Sequence, residues 1–590
     1  MSFLLHKWQK YFNWIKKFPL IISSLALFIL IYEFGFESSF IKSKIVSQFY
    51  IVTIVVGIIF IIGRYINKKN KPRLKVLIID VILIIFLLFQ VFNLLNILKG
   101  NYYLFRYQGV FTFLAIFIVF IRELFVVSVN LKYFTVNPAQ LFVTSFLSLI
   151  IFGSLLLLLP NATHEGIEVI DALFTSTSAV CVTGLIVVDT GSYFTIFGQF
   201  VILFLIQAGG LGIMTYASYF GYFFKGGASY ETQLLLSDFT GTNKLGDVLK
   251  TLKRILLITF ILEAIGAILI FYSIDEMDSY LFSERLFFSV FHSISGFCNA
   301  GFSTLENSFY ELPFRFNYSL HLIIAGLIIL GGIGFPIVFN LLKYLKIKTI
   351  NIVKSIFQKK ENVHVPWIIN INTRIVLVTT FVLILFGFVM FFILEYDNTL
   401  SEHGLYGKIV ASFFGSVTTR TAGFNTVDTS ILNIPMVMVF LFLMWVGASP
   451  GSTGGGIKTS TFAIAVLNFV SMAKGKQRIE ILKREISQVS VNRASAIMIL
   501  SILVIFISIF GINMFDSDKG LLSIFFEVVS AHSTVGLSRG ITASLSNPSK
   551  FILILTMFVG RVSMLTLLIA IFRKTNIYNY HYPKDDVLIN

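Results

Sequence analysis

Charge is scarce in this chain: 13% of its 590 residues are Asp, Glu, Lys or Arg, against 56% hydrophobic and 16% aromatic. No soluble globular class has that balance, and runs of about 18 or more apolar residues recur, as in membrane-spanning helices. A polytopic membrane protein follows, with the lipid bilayer as its surroundings. Cysteine is nearly missing as well. Cys181 and Cys298 each stand three residues before a glycine, Gly184 and Gly301, so they read as equivalent packing positions rather than a disulfide framework. The eight histidines are scattered without metal-ligand spacing, and the spans hold no His/Asp/Glu cluster, which argues against an enzyme and against an organic cofactor. Acid is outnumbered by base, 30 to 46, for a net charge of +16. Cytoplasmic loops of membrane proteins collect Lys and Arg, so the charge needs no nucleic acid to explain it. With no basic patch on a soluble module, nucleic acid is excluded as a partner.

What the chain does have is one stretch used four times. Aligned on a glycine, the copies end in CVTGL (Gly184), CNAGF (Gly301), RTAGF (Gly423) and STVGL (Gly536). A phenylalanine stands ten residues before each: Phe174, Phe291, Phe413 and Phe526. Spacings of 117, 122 and 113 residues separate the glycines. Repetition on this scale is architecture and has to be settled first.

Taken in order, residues 1–18 form a basic amphipathic segment suited to the inner membrane face, with no small-residue cleavage site after it, so it is read as retained. Residues 19–130 carry four apolar spans, with a basic loop at Arg64–Lys75 that the positive-inside bias places in the cytoplasm. Arg122 and Glu123, near the end of the fourth span, read as a charged pair at that interface. Four units follow, at 131–222, 223–343, 344–472 and 473–575, and then a cytoplasmic tail at 576–590. Each unit reads as an apolar helix, a short Ser/Thr-rich segment ending in the glycine, and a second apolar helix. The middle segment is too short to span and fits a re-entrant pore helix, which survives at membrane depth only when shielded by protein or lining water. The expected fold is therefore all-α, with four pseudo-symmetric helix–pore-helix–helix repeats around one ion pathway, behind about four additional N-terminal helices. Basic connections (Lys343–Lys360, Lys474–Arg484) alternate with acidic loops (Asp275–Glu284, Glu395–Glu402). That places both termini inside and the glycine loops facing outward.

Four glycine loops around one axis suit a cation. Rings of backbone carbonyls replace an ion's hydration shell, and glycine tolerates the contorted backbone that aims them inward. The candidate filter residues are Val182, Thr183 and Gly184; Asn299, Ala300 and Gly301; Thr421, Ala422 and Gly423; and Thr534, Val535 and Gly536. No carboxylate neighbours these glycines, which argues against a divalent-cation site. The second helix of the third unit is interrupted by Gly447–Thr459, rich in glycine and containing Pro450, which cannot continue a helix. Its Gly451, Ser452, Thr453, Gly454, Gly455 and Gly456 form a candidate gate beneath the filter, with Lys458 a tether or counter-charge at its inner end. Arg561, inside the last apolar span, is placed to raise a barrier to cations or to pair with the gate's carbonyls.

These residues resemble the Trk/Ktr/HKT superfamily of potassium-translocating membrane subunits, most closely the bacterial Trk and Ktr type. The likeness rests on the four loops, IQAGGLGIMT (Ile206–Thr215), LGGIGFP (Leu330–Pro336), SPGSTGGGIKTST (Ser449–Thr461) and Gly560-Arg561, and covers about residues 138–572. It implies potassium as the transported ion at the filter carbonyls, a homodimer, a cytosolic nucleotide-binding regulatory ring, and the bacterial inner membrane as the location. It also implies that 447–459 is the intramembrane gate with Arg561 beside it. In this superfamily a first-loop serine accompanies sodium selectivity, and Gly184 is of the potassium type. Two features depart from the pattern: Ser563-Met564 follows Gly560-Arg561 where a Gly-Pro pair is common, and His532 and Arg539 flank the fourth loop. His532 reads as a packing or hydrogen-bonding residue behind the filter, with pH sensing the other reading. A cation-coupled secondary transporter, or a sodium-permeable member of the same superfamily, is the competing function.

Overall fold

The computed structural model describes residues 18–36, 44–66, 74–95, 108–124, 138–225, 248–274, 281–312, 314–357, 369–476, 478–481, 483–562 and 567–568. The basic N-terminal segment, most of the Arg64–Lys75 loop, the acidic cluster at 275–278, Ser563-Met564 and the tail lie outside the described residues.

Four helices come first: α1 (Phe18–Gly35), α2 (Lys44–Ile66), α3 (Leu74–Leu94) and α4 (Gln108–Leu124). They pack on one another around a shared apolar core that includes Ala26, Ile54, Leu87 and Ala115. Arg122 on α4 pairs with Asp80 on α3 (2.9 Å), and Tyr65 on α2 donates to the same buried carboxylate. The cation named from sequence is therefore satisfied across the bundle, which suits a charge that lipid cannot solvate.

The remaining fourteen described helices run as α5 (Pro138–Leu157), α6 (Val169–Val180), α7 (Ile196–Lys225), α8 (Val248–Ser273), α9 (Phe282–Cys298), α10 (Tyr318–Ile333), α11 (Phe335–Phe357), α12 (Ile371–Leu394), α13 (Leu405–Thr418), α14 (Ile434–Trp445), α15 (Thr459–Ala473), α16 (Gln488–Phe515), α17 (Leu521–Ser533) and α18 (Asn547–Val562). Among the described residues, Val46–Gly63, Lys253–Ser273, Ile371–Leu394 and Gln488–Phe515 are long and apolar enough to cross a membrane, as is the sharply bent pair α10 and α11 taken as one. Helices α5, α8, α12 and α16 turn apolar side chains such as Ile151, Ile268, Phe381 and Phe506 outward, more than half exposed, as a lipid-facing surface does.

The short helices α6, α9, α13 and α17 lie inside. Three of them, α6, α9 and α13, are held by the helix before them through a repeated contact. Ser176, Ser293 and Ser416 donate to the carbonyls of Ile150, Glu263 and Ile384 at 2.6–2.7 Å. Three residues on from each carbonyl stands Gly153, Gly266 or Gly387, where an added Cβ would meet the same serine oxygen and a leucine of the following long helix (Leu205, Leu327, Leu443). Absence of a side chain there is what lets three helices close on one another. In the last unit a hydroxyl pair, Ser508 with Thr556 (2.8 Å), makes a contact between α16 and α18.

Contacts between units run in one direction: α7 packs on α9, α10 on α13, α14 on α17, and α18 returns to α6. The circle is thus closed by the last helix meeting the first short one. At that seam Lys550 pairs with Asp171 at 2.7 Å, both largely buried.

Two places depart from a simple repeat. The buried phenylalanine of the third unit is Phe414, nine residues before the glycine, and Phe413 is only partly buried, because that loop is one residue shorter than the others. The second apolar helix of unit two, expected over about 319–342, is not one straight span. It turns by 102° at Gly334, whose φ of +94° only glycine adopts readily, just before Pro336.

Breaking the seam tests its worth. Lys550→Met leaves Asp171 unpaired and should cost about 1–3 kcal/mol after allowance for partial exposure. The unfolding midpoint in detergent should fall by a few degrees, and adding Asp171→Asn should restore most of it. Coincident melting curves for wild type and Lys550→Met would show that the seam contributes nothing.

Candidate functional site

All four loops share a backbone pattern. The residue two before the glycine has positive φ (Val182 +56°, Asn299 +60°, Thr421 +68°, Thr534 +52°), and so has the glycine (+87°, +70°, +82°, +94°). A side chain costs about 1–2 kcal/mol in that region, and Val182, Thr421 and Thr534 are β-branched, so the surrounding structure has to hold four strained residues in one place. Adjacent residues of opposite hand aim their N–H groups to one side and their carbonyls to the other. The N–H side faces the short helices. Thr183, Ala300, Ala422 and Val535 donate to the carbonyls of Ser178, Ser295, Thr418 and Ser530 at 2.8–3.0 Å. The hydroxyls of the same four residues act as clamps. Ser178 and Ser530 accept from the N–H groups of Gly184 and Gly536, and Ser178, Ser295 and Thr418 donate to the carbonyls of Leu185, Phe302 and Phe424. Among the described residues none of the carbonyls of Thr183, Ala300, Ala422 and Val535 accepts a hydrogen bond.

Those four carbonyls close a circle. A Cβ added to Gly184 would strike the Ala300 oxygen, one on Gly301 the Ala422 oxygen, one on Gly423 the Val535 oxygen, and one on Gly536 the Thr183 oxygen. Every loop therefore rests its glycine against its neighbour's carbonyl, in the order one, two, three, four and back to one.

Beneath the circle, α14 stops at Trp445 and α15 starts at Thr459; between them the chain makes a loop whose ends meet at a Val446–Ile457 bridge. The loop touches three of the four units' inner ends. Gly455 donates to the Thr534 hydroxyl (3.0 Å), Gly454 lies against the Thr421 hydroxyl, and the Thr453 hydroxyl donates to Phe297 (3.3 Å). Three cations hold its carbonyls. Lys458 donates to Gly454 (2.7 Å), Arg420 to Gly447 (2.9 Å), and buried Arg561 to Thr453 and, at 2.7 Å, to Gly209. On its other flank, Ser449 and Thr453 donate to Gly332 and Gly331, and Phe335 donates to Gly451 (3.0 Å). Asn299 places its amide 3.4 Å from the Thr421 hydroxyl.

The residues singled out from sequence thus meet in one place: the twelve loop residues, the Gly451–Gly456 segment, Lys458 and Arg561. His532 stands behind them, buried, with its ring 2.8 Å from the Ser501 hydroxyl. Arg539 lies at the rim, where its guanidinium donates to Ser430. Sequence reasoning missed the hydroxyl clamps, although a Ser or Thr stands six, six, five and six residues before the four glycines. Arg420 was missed too, and so were two buried carboxylates. Glu263 on α8 accepts from Gln207 (3.3 Å) near Cys298, and Glu527 on α17 accepts from Ser538, Thr542 and the Arg539 N–H. An acid inside an apolar run was the available signal for both.

Residues 108–578 match the TrkH family, described as cation transport protein. The Ktr system potassium uptake protein B of Bacillus subtilis is 35% identical over 459 residues, spanning 78% of this chain and 98% of its own. Potassium/sodium uptake protein NtpJ of Enterococcus hirae is 33% identical over 461 residues, 77% of this chain and 97% of its own. The crystal structure of the potassium transporter TrkH from Vibrio parahaemolyticus superposes with a TM-score of 0.58 at 18% identity, covering 90% of this chain and 97% of that one, and so shares its fold. The chain belongs to the TrkH family of cation transport proteins.

Proposed function

We propose that the chain takes up potassium across the bacterial inner membrane, through a filter built from the four glycine loops and gated by the loop at 447–459. The observation that carries this reading is the closed circle of glycine–carbonyl contacts around Gly184, Gly301, Gly423 and Gly536. It leaves four carbonyls free of hydrogen bonds where an ion would need oxygens in place of water. The names of the relatives, which speak of potassium uptake, support the same ion. Inward movement needs no catalytic group, since the membrane potential contributes about 2.3 kcal/mol per 100 mV to each cation.

In this reading α5–α18 are four pseudo-symmetric units and α1–α4 an addition docked beside the first. Both termini are cytoplasmic, two copies pair, and a cytosolic nucleotide-binding ring acts on the gate. Lys458, Arg420 and Arg561 hold the gate loop under the filter and keep positive charge in the ion's path. Opening then means releasing the Thr453 and Gly455 contacts.

Two observations favour neighbouring readings. The Enterococcus relative is named for both potassium and sodium, so its selectivity is the nearer alternative. Buried Glu263 is the kind of group an ion-coupled transporter would use. Flux into proteoliposomes under an imposed negative-inside potential decides among them. Potassium and rubidium flux in excess of sodium, indifferent to sodium and proton gradients and unchanged in Glu263→Gln, is the expected result. Flux that stops without such a gradient would establish coupling instead.

Gly184→Ser should push the Ala300 carbonyl out of the circle and lower the potassium-to-sodium permeability ratio by about tenfold. An unchanged ratio would remove the filter assignment. Deleting Gly454–Gly456 takes away the contacts with Thr421 and Thr534 and should raise resting potassium flux several-fold. Lower flux from normally inserted protein would contradict the gate.

A further inference from the structure

Beyond its place among the basic connections and its bond to the loop, helix α11 has been given no role. It leaves α10 at 102° and holds four lysines, Lys343, Lys346, Lys348 and Lys354, with no acidic residue over its 23 residues. Leu342 and Leu345 are exposed among Lys343, Lys346 and Lys348. A helix turned across the direction of the spanning helix, with lysines beside exposed leucines, has the composition of one lying in a membrane face. Lysine is a flexible point charge that suits diffuse phosphate headgroups, whereas a protein carboxylate docked in one geometry favours the planar fork of arginine. Its first residue is also bonded to the gate loop: Phe335 donates to Gly451, while Ser449 and Thr453 of the loop donate to Gly332 and Gly331 just before the bend. A Cβ added to Gly334 would strike the Pro450 carbonyl.

We propose that α11 is an anionic-lipid sensor, which holds the gate loop beneath the filter when its lysines lie on a negatively charged membrane face. This rests on the reading of 447–459 as the gate. The bent attitude of α11 and the position of the loop occur together: one backbone hydrogen bond joins the loop to the first residue of α11 and two join it to the end of α10, so the loop straddles the bend. Whatever stabilises the bend therefore stabilises the block, and anionic lipid lowers resting flux.

The test uses the full chain in vesicles of phosphatidylcholine alone or mixed with phosphatidylglycerol, at equal imposed potential. Resting rubidium flux should be about fivefold lower with phosphatidylglycerol. The difference should vanish in K343Q/K346Q/K348Q and fade as impermeant salt approaches roughly 0.5 M. Amide exchange over 335–349 should be slower in phosphatidylglycerol nanodiscs, a readout that needs no flux. Selective potassium flux equal in both lipids, a lipid response kept by the triple variant, or equal amide exchange would each overturn the sensor. If the lysine variant changes flux equally in both lipids, the face serves a protein and the proposal falls. Failure of the Gly454–Gly456 deletion to alter flux would instead remove the gate on which it rests.

Discussion

A glycine resting on the next loop's carbonyl is the contact on which the rest of the structure depends. It occurs four times, and each instance leaves no room for a side chain. Everything behind it serves to keep the loops in that position. The hydroxyl clamps use the N–H groups, the short helices anchor the clamps, and glycine–serine contacts bind three of those helices to their long neighbours. Closure of the circle needs the last unit to meet the first, which α18 does against α6 with the Lys550–Asp171 pair at the seam. Because four strained residues stand in one ring, the structure has to hold them from all sides, and a single loosened clamp would be felt at the next loop.

Electrostatics beneath the ring run the other way from those within it. Inside, carbonyl oxygens and the C-terminal ends of the short helices present partial negative charge. Below, Arg420, Lys458 and Arg561 meet on the carbonyls of one glycine-rich loop. Away from bulk water such charges act over longer distances than at a surface. On the proposed reading of this loop as a gate, it is held by groups that also oppose a cation, and its withdrawal would both clear space and redistribute charge.

Much of this is legible in the sequence, for reasons that differ by residue. The four glycines stand out because a side chain there would be strained and would strike the neighbouring loop's carbonyl, and the chain repeats the position. The break after Trp445 is legible because glycine and Pro450 cannot continue a helix. The bend at Gly334 was harder, since LGGIGFP also passes for the middle of an apolar span; the glycine's positive φ decides it and leaves no mark in composition. Phe413 and Phe414 are both phenylalanine, and only burial tells which is the anchor. Arg122 was seen but not its partner, because Asp80 lies 42 residues away on another helix and pairs through tertiary packing. Glu263 and Glu527 were overlooked in runs judged by their apolar neighbours.

The central claim is that the four loops bind a dehydrated monovalent cation on their common axis. A crystal of the protein grown with rubidium or thallium, with anomalous scattering recorded, tests it most directly. The account predicts peaks on the axis, ringed by the carbonyls of Thr183, Ala300, Ala422 and Val535. An axis without any peak, with the ion instead against Glu263 or Glu527, would contradict it.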